Sequence, residues 1–319
     1  MKEFKLIESF FSGKGPSRRD VLLSIGDDCA LVQPAANKSI AISVDTLVEN
    51  VHFLPEMPAE DLGYKSLAVN LSDLASMGSE PSWMTLALTL PSVDEVWLQG
   101  FSKGLLDAAE YYSIALVGGD TTRGPKSITI TVNGQIPQGK ALTRSGARVG
   151  DWIYVTGTIG DSALGLALLQ GKEVQVTNEN KDYLIKRHYR PTPRVLAGQY
   201  CRELASSCID LSDGLMSDIT HIMKASKVGA LVNVEKLPLS FAMKDTVSIE
   251  QAISYALTGG EDYELMFTVC ESNKAALETA LDHAGMQFSQ IGQITGGDQL
   301  NLQQNGQRFT PQNFGFTHF

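Results

Sequence analysis

The chain has 319 residues, too many for one ordinary hydrophobic core and suited to two domains. A hydrophobic share of 43% and a charged share of 19% describe a globular chain and exclude disordered and fibrous classes. Lys+Arg 26 against Asp+Glu 36 leaves a net charge of −10, which disfavours nucleic acid and anionic membranes as partners. In chain order, residues 40–44 alternate apolar and small side chains as a strand does, with Asp45 directly after them. Residues 60–77 read as a helix, with Leu67, Leu71 and Leu74 at helical spacing and Gly78 placed to end it. A second helix is expected over residues 95–111. Residues 114–117 read as a short strand stopped by Gly118-Gly119, and residues 128–132 alternate again.

Strands and helices mixed in this order indicate an α/β or α+β first domain. Gly134, Pro137, Gly139, Gly146 and Gly150 then punctuate the chain and mark the boundary, giving domains of residues 1–138 and 148–319. The second opens with a strand at 152–155. Asp161 or Ser162 can cap a helix through Leu169, and the polar residues 170–181 read as a loop. Ser212 or Asp213 can cap a helix to about Ala225, and residues 263–269 read as a buried strand. Cys29, Cys201, Cys208 and Cys270 form neither a CxxC pair nor a zinc-like spacing, which fits a reducing compartment. The first eight residues carry acids where a signal peptide needs an apolar run, and no uncharged run is long enough to span a bilayer. The expectation is a cytoplasmic protein.

Six acidic stations stand out, most of them ending an apolar run. They are Gly26-Asp27-Asp28, Ser43-Val44-Asp45, Asn70-Leu71-Ser72-Asp73, Gly118-Gly119-Asp120, Asp210-Leu211-Ser212-Asp213-Gly214 and Gly259-Gly260-Glu261-Asp262. Carboxylates at the ends of buried elements repel one another and lose hydration, so something positive must reward bringing them together. Hard divalent cations take oxygen ligands, and magnesium usually arrives with a nucleotide's phosphates. Asp73 is the sharpest case, the only charge between residues 66 and 77, with Asn70 one turn earlier on the same face. Taken alone, Gly26-Asp27-Asp28 reads as a turn, and a cap accounts for Asp213 but not for Asp210.

Residues 121–150 contain no Asp or Glu yet carry Arg123, Lys126, Lys140, Arg144 and Arg148, a strip suited to anions. Arg144, between glycines, is the preferred phosphate contact. There is no GxxxxGK[ST], kinase-type glycine loop, HRD triplet, HExxH or nucleophile elbow, and Asp45-Thr46-Leu47 fails the Asp-x-Asp of haloacid-dehalogenase phosphatases. No general base is evident. That absence suits an acceptor already ionised, such as a phosphate oxygen.

Taken in order, these stations, with Gly118-Gly119-Asp120-Thr121-Thr122-Arg123, Gly259-Gly260-Glu261-Asp262-Tyr263-Glu264 and the closing Gly315-Phe316-Thr317-His318-Phe319, resemble the thiamine-monophosphate kinase family over essentially the whole chain. That family shares a fold superfamily with aminoimidazole-ribotide synthetase, selenophosphate synthetase and a hydrogenase-maturation ATPase. The resemblance implies two α/β domains, an N-terminal ATP- and magnesium-binding domain whose sheet forms a dimer barrel, and a C-terminal α/β domain. It implies transfer of the γ-phosphoryl group of ATP onto thiamine monophosphate in a homodimer with several Mg2+ ions. Asp28, Ser43, Val44, Asp45, Asp73, Asp120, Asp210 and Asp213 would hold the metals. Tyr111 or Tyr112, Gly119, Asp120, Arg144 and Ser212 would meet ATP, and His52, Glu261 and Phe316 the substrate. Val44 stands where relatives often have Thr, so only its carbonyl can ligate. Phe316 stands where Tyr or Trp is common, which removes a polar contact.

Two other readings compete. An aminoimidazole-ribotide synthetase would close a ring and release orthophosphate, and a non-catalytic magnesium-nucleotide sensor would bind without turnover. A selenophosphate synthetase would need a reactive N-terminal Cys with Lys, and the hydrogenase relative a terminal cysteine. Neither is present.

Overall fold

The computed structural model describes residues 3–311. By its internal contacts the chain divides into one unit of Met1–Leu74 and Ser79–Gly139 and another of Ala75–Gly78 and Lys140–Phe319. The first carries α1 (Glu3–Phe10), β1 (Val21–Leu23), β2 (Leu31–Val32), β3 (Lys38–Val48), α2 (Ala59–Ser76), β4 (Glu80–Leu90), α3 (Glu95–Tyr111), β5 (Ala115–Arg123) and β6 (Ser127–Pro137). Both expected helices are present within a residue or so, and α3 starts where Asp94 accepts from the amides of Val96 (3.0 Å) and Trp97 (3.1 Å).

The strands run further than their sequences suggest. β3 pairs with β6 from Lys38↔Pro137 to Val48↔Ser127, so Asp45 lies inside the ladder opposite Ile130 rather than beyond its end. β5 likewise continues through Gly118-Gly119, paired in parallel with β4 as far as Leu90↔Arg123. β4 has no counterpart among the expected strands, because its opening Glu80-Pro81-Ser82 resembles a turn. The four-stranded sheet has the order β3-β6-β4-β5 and is open in the single chain. Along β3, alternation puts Ser43, Asp45 and the buried Leu47 on one face. Ile42 and Val44, 67% and 57% exposed, lie on the other.

The second unit carries β7 (Trp152–Thr156), α4 (Asp161–Leu169), α5 (Asn178–Tyr189), α6 (Val195–Cys201), β8 (Ser207–Asp210), α7 (Leu215–Ser226) and β9 (Gly229–Asn233). It continues with α8 (Phe241–Thr246), α9 (Ile249–Thr258), β10 (Leu265–Val269), α10 (Glu271–His283), β11 (Phe288–Thr295), β12 (Leu300–Gln304) and β13 (Gln307–Arg308). A seven-stranded sheet of order β13-β12-β9-β11-β7-β10-β8 packs its apolar face, including Ile153, Val155, Ile209 and Met266, against Ile219 and Ile222 of α7 and Ile253 of α9. The expected loop at 170–181 gives way to α5 at Asn178, where the Thr177 hydroxyl caps the first turn. Among the described residues no helix is long and apolar enough to cross a membrane.

Helices α2 and α3 cross with their backbones in contact. A Cβ on Gly104 would run into the Glu60 carbonyl, and one on Gly63 into that of Phe101. Backbone atoms cannot swing aside as a flexible side chain can. Gly104→Ala is therefore expected to cost about 1–3 kcal/mol, the usual range for overpacking, read as an earlier denaturant midpoint. An unchanged midpoint would show that the crossing can open.

Candidate active site

One acidic pair forms where α2 lies along β3. Asn70 and Asp73, three residues apart on the helix, look at the strand together. The Asn70 Oδ1 accepts from the Asp45 amide at 3.1 Å, and the Ser43 hydroxyl donates to an oxygen of Asp73. Burial, and then the charge of Asp73, push the Asp45 carboxyl up to about 6. Both influences raise it. The donors assembled here are oxygens only, a set that suits a hard cation such as Mg2+ and not zinc or copper. Val44 turns its side chain to the opposite face and can offer only its carbonyl. Just beyond β3, the Nδ1 of His52 accepts from the Val48 amide at 3.1 Å, which places the ring proton on Nε2.

The other edge of the same sheet builds a cleft of about 540 Å³ between α1, the turn at Gly26-Asp27-Asp28 and β5. Its wall is apolar (Phe4, Ile7, Phe11 and Leu116 among others), and Asp27, Asp28, Gly118, Gly119 and Asp120 also line it. Gly119, at φ 153, lies so close to Leu86 that a Cβ would strike the Leu86 carbonyl. The bare backbone there leaves amides within reach of an anion. Tyr111 is not among the lining residues; it is 81% exposed and packs edge-on against Tyr112 at 4.8 Å. Among the described residues, no three His, Cys, Asp or Glu side chains gather as a ready metal cage.

In the second unit two of the acidic stations lie side by side. The Leu211 amide donates to the Glu264 carbonyl (2.8 Å), the Tyr263 amide to Leu211 (2.9 Å) and the Glu261 amide to Ser212 (2.8 Å). This ladder continues the pairing of Asp210 with Leu265 and sets Asp210, Ser212 and Asp213 beside Glu261. Arg144 is exposed in the loop before β7, its carbonyl accepting from the Ser226 hydroxyl at 3.2 Å. Phe316 lies outside the described residues.

Neither expected cap is used. Helix α7 has Gly214 at its N-cap without a side-chain bond, and the carboxylate of Asp218, inside the first turn, instead accepts the Asp213 amide at 3.2 Å. Helix α4 likewise starts at Gly160, where Asp262, a hundred residues later in the chain, accepts from the amides of Gly160 (2.5 Å) and Ser162 (3.2 Å). Burial raises Asp218 to about 7, with Asp213 and Asp210 adding to it. Burial also raises Asp262 to about 8, against the opposing charge of Arg187. Glu264 is fully buried and held by Arg194 (2.5 and 2.6 Å), Arg187 (2.9 Å) and the Thr156 hydroxyl (2.6 Å).

Residues 26–136 match the model of the AIR synthase related protein N-terminal domain, and residues 148–305 that of its C-terminal domain. The thiamine-monophosphate kinase of Escherichia coli (strain K12) is 55% identical over 318 residues, covering 99% of this chain and 98% of that protein. This chain belongs to the thiamine-monophosphate kinase family. The crystal structure of the Stenotrophomonas maltophilia family member superposes with a TM-score of 0.86 at 43% identity, covering 92% of this chain and 93% of that one. A second, AaThiL complexed with AMPPCP and TMP, does so at 0.78 and 31%, covering 90% and 89%.

Within that family setting, Asp218 and His188 are the polar residues that sequence reasoning passed over. Asp218 had a signal, an acid in the first turn of a helix directly after Asp213. His188 sits on a polar helix and had none.

The Asp45–Asp73 pair makes a test of sign possible. Asp45 is raised from its ordinary 3.8 to about 6, so folding favours its protonated form. The associated stability is complete below about pH 4 and is lost as pH rises through 6. In chelator at pH 7.5, Asp73→Asn should therefore melt about 2 °C or more above the parent protein, with the gain fading at pH 5. Its phosphoryl-transfer activity should nevertheless be lost. A variant that melts lower at pH 7.5 would refute the repulsion.

Proposed function

We propose that this chain transfers the γ-phosphoryl group of ATP directly onto the phosphate of thiamine monophosphate, making thiamine diphosphate. The observation that carries this reading is 55% identity across the full length to a thiamine-monophosphate kinase. The structural relative bound to AMPPCP, an ATP analogue, and TMP supports both substrates.

The geometry supports the chemistry. The cleft beside β5, with its glycine backbone and its acids, suits a nucleotide's phosphates carried by Mg2+, so Gly119 and Asp120 are assigned to ATP; Ser212, Arg144 and Tyr111 are assigned to ATP by family likeness. Asp28, Ser43, Asp45, Asp73, Asp120, Asp210, Asp213 and the Val44 carbonyl are assigned to Mg2+, which when bound would neutralise charge between phosphates that otherwise repel. Asp45 is suited to this because it stands desolvated beside a like charge. Glu261, His52 and, by family likeness, Phe316 are assigned to the substrate. A carboxylate opposite the cationic thiazolium gains by charge pairing. The accepting phosphate oxygen is ionised at neutral pH. No residue need remove a proton, and in-line transfer then depends on position and charge neutralisation alone.

The uncovered face of the first sheet supports a homodimer. Ile40, Ile42 and Val44 of β3 stand exposed there, continued across the ladder by Thr131 and Thr85. An exposed apolar sheet face of this kind is covered in most stable proteins. A second copy packing its own sheet against it would produce the expected barrel.

Two measurements address these assignments. Purified protein given ATP, Mg2+ and thiamine monophosphate should form thiamine diphosphate, and Asp210→Asn should reduce turnover at least a hundredfold, on the order of losing one charge-stabilising group. Orthophosphate release without diphosphate would favour the cyclo-ligase, and binding without turnover the sensor. Separately, light scattering should give twice the 34.5 kDa chain mass, and Ile42→Asp should return it to a single chain. A monomeric parent protein would remove the dimer.

A further inference from the structure

Glu261 is held in an unusual way. Its φ of 65 lies in the left-handed region, which a residue with a Cβ adopts at a cost. Its amide is bound to the Ser212 carbonyl, the Tyr263 amide to Leu211, and the carboxylate of Asp262 to the first turn of α4. The backbone is fixed on both sides, so where the carboxylate aims depends on what its oxygens touch.

One such contact comes from His188, in the last turn of α5. The ring is buried, 3% exposed, and its Nδ1 lies 3.4 Å from Oε2 of Glu261 and 3.0 Å from the hydroxyl of Ser162. With the proton on Nδ1, the ring donates toward this carboxylate, which only accepts, and the Ser162 hydroxyl is a second acceptor. The next residue, Tyr189, packs against the imidazole with ring centroids 5.8 Å apart. The preceding residue, Arg187, is tied to Glu264 at 2.9 Å, so the helix end carrying His188 is anchored to the segment carrying Glu261.

We propose that His188 is a positioning residue for Glu261, its Nδ1–H orienting the carboxylate toward the cationic ring system of the substrate. This rests on the reading that Glu261 meets that substrate. An acid oriented in advance loses less freedom when the cation arrives, so the effect falls on affinity for the thiamine substrate. Affinity for ATP and the rate of transfer are left alone.

The test is steady-state kinetics with each substrate varied. His188→Ala should raise KM for thiamine monophosphate roughly fivefold or more, the scale of one lost hydrogen bond, with kcat and KM for ATP unchanged. His188→Asn, whose amide N–H stands near the Nδ1 position, should recover most of the loss, whereas His188→Gln should not. Should His188→Ala fail to fold, the Asn and Gln variants carry the comparison by themselves. In a Glu261→Gln background, His188→Ala should add nothing further. Equal rises in both KM values, or a fall in kcat alone, would overturn the positioning role and leave His188 as core packing. A Glu261→Gln protein with normal KM for thiamine monophosphate would instead remove the substrate assignment of Glu261, and the role of His188 with it.

Discussion

A carboxylate drawn out of water must be balanced, and how each acid in this chain is balanced decides what it can do. Glu264 is balanced by guanidinium groups, since Arg194 and Arg187 both bind it in a fully buried place. Asp262 and Asp218 meet backbone amides at the starts of α4 and α7, which lower them without offsetting burial and leave them at about 8 and about 7. Asp45 differs from all three. Burial and Asp73 both raise it with nothing opposing them, so its charge at neutral pH is held at a cost that a bound cation would lower.

The balanced acids serve the others. Asp262 and Glu264 flank Tyr263 and sit within three residues of Glu261, so the bonds that satisfy them also hold a left-handed Glu261 in place. Asp218 fixes the amide of Asp213, the residue directly after Ser212. Arg187 shows the reverse dependence. Burial works against its charge, but Glu264, Asp262 and Asp161 outweigh burial and raise it. In this unit structural ion pairing and site geometry are one network. A substitution that breaks the network should both misplace the loop and, by leaving a buried charge unpaired, destabilise the unit.

Much of the fold was legible because local signals agreed with the tertiary outcome. Leucines at helical spacing mark α2, and alternation marks β3 and β6. What was hidden depends on distant partners. Asp45 and Gly118 look like strand ends, yet the ladder continues because β6 and β4 keep pairing beyond them. The cap of α4 comes from Asp262, a hundred residues away, and no local pattern could announce it. Helix α5 is too polar to show a periodic face. It buries only Asn180, Leu184 and His188, two of them polar. The acidic stations were readable as a set, and the structure pairs some of them: Asp45 with Asp73, Asp28 with Asp120 around one cleft, and Asp210 to Asp213 with Glu261.

In the first unit Asp45 and Asp120 lie on the two outer strands, three strand spacings apart, about 14 Å along the sheet. No single cation spans that distance through direct ligands. A site for one tightly caged ion would collect its acids at one point, and no such collection exists among the described residues. Acids distributed in pairs suit a ligand whose own charge is distributed, as in a triphosphate facing a second phosphate. Each pair could hold a cation against one stretch of that ligand. Asp45, raised to about 6 in the bare protein, is ionised at neutral pH at a cost that a cation bound beside it would remove.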